Sequence, residues 1–184
     1  MAAVSATENT TAARATAPFD IREATAADWP GIWAVLEPVL RTGETFTWDR
    51  DTTEEQARAK WMKEAPGQTF VAVRDGVVLG TGEFHANQGG GGSHVANAGY
   101  MVGAAYSGQG IARALCAYSL DAARATGFRA MQFNAVVESN TTAVWLWQSM
   151  LPDPRNRPGG LQPPRDRLRG AARHVPEALG RTPL

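Results

Sequence analysis

The hydrophobic period of this 184-residue chain changes at residue 68, and that change constrains its fold more than any other feature. Upstream, Trp29, Ile32, Trp33, Leu36, Val39 and Leu40 recur at helical spacing, one face of an amphipathic helix. Thr25 or Asp28 can cap it, Pro30 sits near the first turn where a missing N–H costs least, and Gly43 ends it. Thr53 with Glu54 and Glu55 opens a second helix, with Ala57, Trp61 and Met62 as its buried side and Pro66-Gly67 as its stop. Downstream the period is two. Residues 68–74 and 77–85 read as strands joined by Asp75-Gly76, a two-residue hairpin signal. Residues 89–92 read as a Gly loop and 95–102 as a strand. Residues 110–126 read as a helix with Ile111, Leu115, Tyr118 and Ala122 on one face and Gly127 as its close. Residues 130–137 read as a strand, and Asn140 caps a last helix through Met150. Ahead of all this, Phe19, Ile21 and Glu23 alternate with Asp20 and Arg22 as a first strand.

The expected order is β-α-α-β-β-β-α-β-α. A hairpin-rich half feeding a β-α-β unit predicts a mixed, mainly antiparallel α/β (α+β) sheet with helices on both faces. Three segments follow: an Ala/Thr/Ser tail over 1–17 with little to bury, a domain over 18–150, and an irregular tail over 151–184. No apolar run approaches the ~20 residues that span a bilayer. The N-terminus lacks the apolar core of a signal peptide, so the expected location is the cytoplasm, with no membrane partner. Residues 1–150 carry 11 Lys+Arg against 15 Asp+Glu, which argues against nucleic acid as a partner. The single cysteine, Cys116, excludes an intramolecular disulfide and a cysteine-built metal site. No metal is expected.

The chemistry-bearing segment is Tyr106-Ser107-Gly108-Gln109-Gly110-Ile111-Ala112-Arg113, which follows a strand and opens a helix. Two glycines let a ligand approach the backbone, and the first N–H groups of a helix favour an anion; a pyrophosphate is the natural occupant. A plain Gly-rich loop is the simpler alternative. A Rossmann turn is disfavoured because its third glycine falls at Arg113, and a P-loop lacks its Gly-Lys-Ser/Thr.

In its context this turn resembles the Arg/Gln-x-x-Gly-x-Gly/Ala motif of the GNAT acetyltransferases, with Gly110 and Ala112 matching and Ser107 departing. Asn140-Thr141-Thr142-Ala143 resembles the family's Asn-x-x-Ala helix start, and the element order from 18 to 150 is similar too. Within the family, the runs Ser93–Val102 and Phe133–Asn140 look like amino-acid N-acetyltransferases of the phosphinothricin type and the fungal enzymes that acetylate proline analogues.

The resemblance implies transfer of an acetyl group from acetyl-CoA to the amine of a small amino-acid-like substrate, by direct attack in a ternary complex. Ser107, Gly108, Gln109, Gly110, Ile111 and Ala112 would cradle the cofactor. Backbone groups of Tyr100, Met101 and Val102 would pair with pantetheine between splayed fourth and fifth strands, and Asn140, Ala143 and Trp147 would flank it. Asn97 and Asn134 would sit at the substrate, with a structural role at the strand split as the alternative. An N–H of the fourth strand would face the developing oxyanion. Glu83 and His85, two apart on one strand face, can serve as base directly or through water, a solvated strand face being the plain alternative. Glu138 is a further candidate. Trp147 stands where many relatives carry a tyrosine acid, and an indole N–H cannot serve as one. Cys116 reads as a packing residue, and a homodimer is left open.

Beyond Met150 the resemblance stops. Pro, Arg, Gly and Ala make up 21 of the last 34 residues, and no period-two pattern appears where the family's two final strands belong. The expectation is that those strands are missing and their edge uncovered, with lower stability and some aggregation. The chain's 16 Arg against 2 Lys fit a GC-rich gene, and the segment reads as its out-of-frame translation, with a natural Pro/Arg-rich extension as the alternative. Two rival functions follow: a non-catalytic acetyl-CoA-binding module crippled by the C-terminal departure, and an interaction protein using the Arg-rich tail, which lacks aromatic residues for base stacking.

Overall fold

The computed structural model describes residues 18–134. The expected tails over 1–17 and 151–184, the last helix and the missing final strands lie outside the described residues, as do Glu138, Asn140, Ala143 and Trp147.

Among the described residues five strands form one sheet in sequential order: β1 (Asp20–Glu23), β2 (Gln68–Arg74), β3 (Val77–Ala86), β4 (Val95–Val102) and β5 (Ala130–Gln132). The first four pair antiparallel and β5 runs parallel to β4, giving the mixed, mainly antiparallel sheet expected. Three helices accompany it: α1 (Trp29–Thr42), α2 (Glu54–Trp61) and α3 (Ile111–Ala125).

Local chemistry sets these boundaries. Thr53 caps α2 by a reciprocal box, accepting from the Gln56 amide at 3.3 Å while its own amide donates to Gln56 Oε1 at 2.9 Å. Ahead of α1, Asp28 Oδ2 accepts from the Thr25 amide at 2.7 Å, closing a short 3-10 turn over Ala26–Asp28. Asp75 and Gly76 both take positive φ, 49° and 77°, as a two-residue hairpin turn demands.

Strand alternation divides the core in two. Phe70, Ala72, Leu79, Phe84, Ala96 and Ala98 meet Ile111, Leu115 and Ala123 of α3 on one face. Val71 and Met101 meet α1 and α2 on the other, with Trp29, Ile32, Val35, Leu36, Leu40, Ala57 and Trp61. Val35 was not among the residues expected inside. The buried stripe of α1 is wider than one row because a flat sheet contacts about a third of a helix surface. Trp61 is fully buried, and its indole N–H donates to Thr81 Oγ1 at 3.0 Å, so its one polar atom is satisfied.

The β4–β5 pairing covers only Val95↔Ala130, Ala96↔Met131 and Asn97↔Gln132. Beyond Asn97 the β4–β3 pairing continues to Val102, while among the described residues β5 pairs with β4 as far as Asn97.

Candidate active site

β4 has two functional edges, and its hydrogen-bond parity says which residues serve each. The Asn87 amide donates to the Val95 carbonyl and the Gly103 amide to the Leu79 carbonyl, at 2.8 and 2.9 Å. In an antiparallel ladder such bonds alternate, so odd-numbered β4 residues turn their backbone groups to β3. Even-numbered ones turn theirs outward; the Arg129 amide reaching the His94 carbonyl at 2.9 Å fits this parity. The backbone groups of Ala98, Tyr100 and Val102 thus face away from β3, toward the β5 side. Met101, expected to pair with pantetheine, turns its amide and carbonyl to β3, and its side chain is buried at 3% exposure against α1 and α2. That expectation passes to Ala98, which lies one step earlier with the same parity.

At the end of β4 the chain makes a short 3-10 turn, Ala104–Tyr106, and enters the Gly-rich segment. Gly108 and Gly110 take φ of 77° and 79°, and a Cβ built on either would meet no atom within 4 Å. Both therefore face open space in a conformation that a side chain disfavours. Among the described residues, no backbone carbonyl accepts from the amides of Gly108, Gln109, Gly110, Ile111 or Ala112. Ala114 is the first to bond back, to Gly110 at 3.0 Å. A concave row of amides at the start of a 15-residue helix suits a diphosphate. Gln109 is pinned from below: its Oε1 accepts from Arg74 Nη2 at 3.1 Å. Arg74 ends β2 and is 9% exposed, so a guanidinium stands beneath the cradle. Sequence reading missed it, since 35 residues separate the pair.

On the α1/α2 face, Glu83 and His85 of β3 stand opposite Gly99 and Asn97 of β4. Glu83 is 6% exposed. Its Oε2 accepts from His85 Nδ1 at 2.7 Å and lies 3.7 Å from Lys63 Nζ. Lys63 is brought there by Thr69, the β2 partner of Glu83: Thr69 Oγ1 accepts from the Lys63 amide at 2.9 Å and donates to the Trp61 carbonyl at 2.7 Å. Glu83 Oε1 points the other way, 3.2 Å from where a Cβ on Gly99 would stand. The Phe46 ring approaches the same spot, 3.5 Å from that Cβ position. Phe46 packs with Trp48 and Trp61, ring centroids 6.3 and 5.9 Å away.

Asn97 shares this face. Asn134, expected beside it at the substrate, has its Nδ2 donating to Asn87 Oδ1, just after β3, at 2.7 Å. The opposite face holds no chemistry of this kind. Burial pushes the Cys116 thiol up to about 11, and Ser119 Oγ donates to the Cys116 carbonyl at 2.8 Å, so Cys116 packs as expected. Burial likewise raises the Tyr100 phenol well above its ordinary value; it shares a 2.5 Å hydrogen bond with Ser119 Oγ, tying β4 to α3. Among the described residues no group of three or more His, Cys, Asp or Glu is placed to hold a metal, and no helix is long and apolar enough to cross a membrane.

A comparison with curated proteins finds no match. Solved structures do resemble the chain. A GCN5-related N-acetyltransferase from Kribbella flavida is 48% identical, with a TM-score of 0.69 over 72% of this chain and 80% of that one. A phosphinothricin acetyltransferase from Sinorhizobium meliloti, in complex with acetyl-CoA, is similar at 18% identity and a TM-score of 0.65, covering 72% and 73%. A ribosomal-protein-alanine N-acetyltransferase from Brucella melitensis is similar at 23% identity and 0.64, covering 71% and 82%. The last two share the fold with this chain, and their acceptors differ from each other. The model of the Acetyltransferase (GNAT) family matches residues 29–151. With an amide cradle at the end of β4 and a family match over residues 29–151, the chain belongs to the GNAT acetyltransferase family.

Proposed function

We propose that the protein transfers an acetyl group from acetyl-CoA to the amine of a small amino-acid-like substrate, with Glu83 as the general base. One observation carries the base assignment: a carboxylate 6% exposed, with one oxygen held by His85 and Lys63 and the other turned toward Gly99 of β4. The described residues fit acetyl-CoA, because the amides of Gly108 to Ala112 and the space before Gly108 and Gly110 match a diphosphate in charge and shape. Bound acetyl-CoA supplies a thioester carbonyl open to attack by a neutral amine. The chain's own part is then positional and acid–base. The cradle holds the diphosphate, and the outward backbone groups of Ala98, Tyr100 and Val102 extend the sheet along pantetheine. Glu83 Oε1 takes the proton that makes the acceptor nitrogen neutral. The new nitrogen–carbonyl bond forms as the carbon–sulfur bond breaks; CoA departs as the thiolate and takes up, through water, the proton that the new amide nitrogen sheds, while the proton on Glu83 passes to water. No side-chain nucleophile is needed, since holding both reactants in place supplies much of the rate. Asn97, on the same face, orients the acceptor by hydrogen bonding.

The amino-acid-like acceptor rests on the likeness of the Ser93–Val102 and Phe133–Asn140 runs to phosphinothricin-type and fungal proline-analogue acetyltransferases. Asn140, Ala143 and Trp147 belong to the pantetheine site by the same likeness. We place the enzyme in the cytoplasm and treat a homodimer as its open quaternary state. Thiol release from acetyl-CoA with a panel of amino acids tests the function. At least one should react, and Glu83→Gln should lower kcat about 10²- to 10⁴-fold while CoA binding persists. Binding of CoA with no reaction from any amine would leave the non-catalytic module as the better reading.

A further inference from the structure

The turn that carries the cradle is tied to the sheet through one side chain. Its start is fixed by backbone: the Gly103 amide donates to the Leu79 carbonyl at 2.9 Å, and the Ser107 amide to the Ala104 carbonyl at 3.3 Å. Its end is fixed by the Ala114 amide on the Gly110 carbonyl at 3.0 Å. Between these bonds stands Gln109, flanked by Gly108 and Gly110 at φ 77° and 79°. Two glycines give such a turn many backbone conformations, and only some of them aim its amides at one point. Gln109 Oε1 accepts from Arg74 Nη2 at 3.1 Å. Arg74 can anchor it because its own place is set by the sheet: it closes β2, pairs with Val77 across the hairpin and is 9% exposed.

We infer that Arg74 is a positioning residue for the acetyl donor: through Gln109 it holds the Gly108–Gly110 turn with its amides aimed at the diphosphate. The inference rests on the reading of Gly108 to Ala112 as a diphosphate cradle. A turn fixed before the ligand arrives removes an ordering cost from binding. The guanidinium also brings a positive charge beneath the turn, which favours the same anion. The two contributions separate by substitution. Gln109→Ala cuts the tie and leaves the charge. Arg74→Met removes both and keeps an apolar stem, while Arg74→Lys keeps the charge and a donor.

The test is calorimetric titration of the full chain with CoA and with dephospho-CoA, which keeps the diphosphate and lacks only the phosphate on the ribose. Pantetheine, which has no diphosphate, is titrated by NMR. Gln109→Ala should weaken CoA and dephospho-CoA alike, by about fivefold. Arg74→Met should weaken both by about tenfold or more. The double variant should bind no more weakly than Arg74→Met, because the two residues act as one unit. Arg74→Lys should recover most of the loss, and pantetheine should bind every variant as it binds the wild type. An equal loss with pantetheine would make the role merely structural. A loss with CoA that vanishes with dephospho-CoA would assign Arg74 to the ribose phosphate. Single losses that add in the double variant would show that Gln109 does not act through Arg74. Each of these overturns the inference. Thermal melts beside each titration report the fold; should Arg74→Met not fold, Gln109→Ala on its half-buried turn carries the test. If Gly110→Ala weakens CoA while Gln109→Ala does not, the cradle stands and the tie is wrong. If neither weakens it, the cradle falls and the tie with it.

Discussion

Replacing Gly110 by alanine separates the fold's need for that glycine from the ligand's. The residue sits at φ 79°, and an added Cβ would touch nothing within 4 Å, so no clash enters the free protein. What remains is the conformational cost of an L-residue in the left-handed region, about 1–2 kcal/mol, less a few tenths for the lower entropy of the unfolded chain. A net loss of about 1 kcal/mol lowers Tm by about 3–6 °C for a domain of this size. In the proposed complex the same Cβ would point into the cradle where the diphosphate is placed. Losing one charge-assisted hydrogen bond, about 1.5–3 kcal/mol, weakens binding about 10- to 150-fold. Gly90 is the control: it too has positive φ, 56°, and no neighbour within 4 Å, but it lies in the β3–β4 loop at the opposite end of β4. Gly90→Ala should lose similar stability and keep full affinity. Calorimetric titration with CoA, beside thermal melts, reads both quantities. Equal affinity in the two variants would refute the cradle, whatever the melts show.

Two further outcomes concern the scaffold. Thr81→Val removes the acceptor of the buried Trp61 indole and the hydroxyl that donates to the Phe70 carbonyl at 3.0 Å. Leaving such groups unpaired costs about 1–3 kcal/mol, so the urea midpoint should fall; an unchanged midpoint would mean the indole finds another partner. Asp28 is held well below the usual carboxylate range, chiefly by hydrogen bonds from the Arg22 guanidinium at 2.7 and 2.8 Å. A depressed folded pKa stabilises above the unfolded value of about 3.9 and loses that stabilisation as pH falls toward the folded value. The stability gap between wild type and Asp28→Asn should therefore be widest near neutrality and shrink below about pH 4. A gap that is constant down to pH 2 would show that the charge of Asp28 is not what stabilises this corner.

The parts of the site that local sequence can encode were legible. The hairpin showed in Asp75-Gly76, the cradle in glycines spaced ahead of a helical period, and the shared face of Glu83 and His85 in a separation of two. What joins distant segments was not. Lys63 reaches Glu83 only because Thr69 fixes the chain after α2, and nothing in the local pattern marks that bond. Phe46 and Trp48 lie in the aperiodic stretch between α1 and α2, so no period assigns them a side, yet both pack on Trp61 and Phe46 comes within 3.5 Å of a Cβ position on Gly99. Arg74 under Gln109 and Asn87 against Asn134 span 35 and 47 residues. Met101 shows the limit of a range read without parity. Naming consecutive residues as backbone partners of a ligand ignores that a strand presents every second one to a given side.

That parity links the two halves of the proposed chemistry. Because β4 alternates, the residues whose backbone turns away from β3 (Ala98, Tyr100, Val102) direct their side chains to the α3 face, where Ala98 and Tyr100 pack. The residues bonded to β3 (Asn97, Gly99, Met101) direct theirs to the α1/α2 face, where Glu83 stands. One strand can thus offer its backbone edge to an extended ligand and its α1/α2 face to the Glu83 site, without one use interfering with the other. The cost is sensitivity to register. A slip of one residue between β3 and β4 would exchange the two sets, put Tyr100 over Glu83 and turn Gly99 to the core. The Tyr100–Ser119 bond to α3 and the fully buried Phe84 beside Ala98 oppose that slip. Their packing is therefore a condition of the site's chemistry, although neither side chain needs to touch a reacting atom.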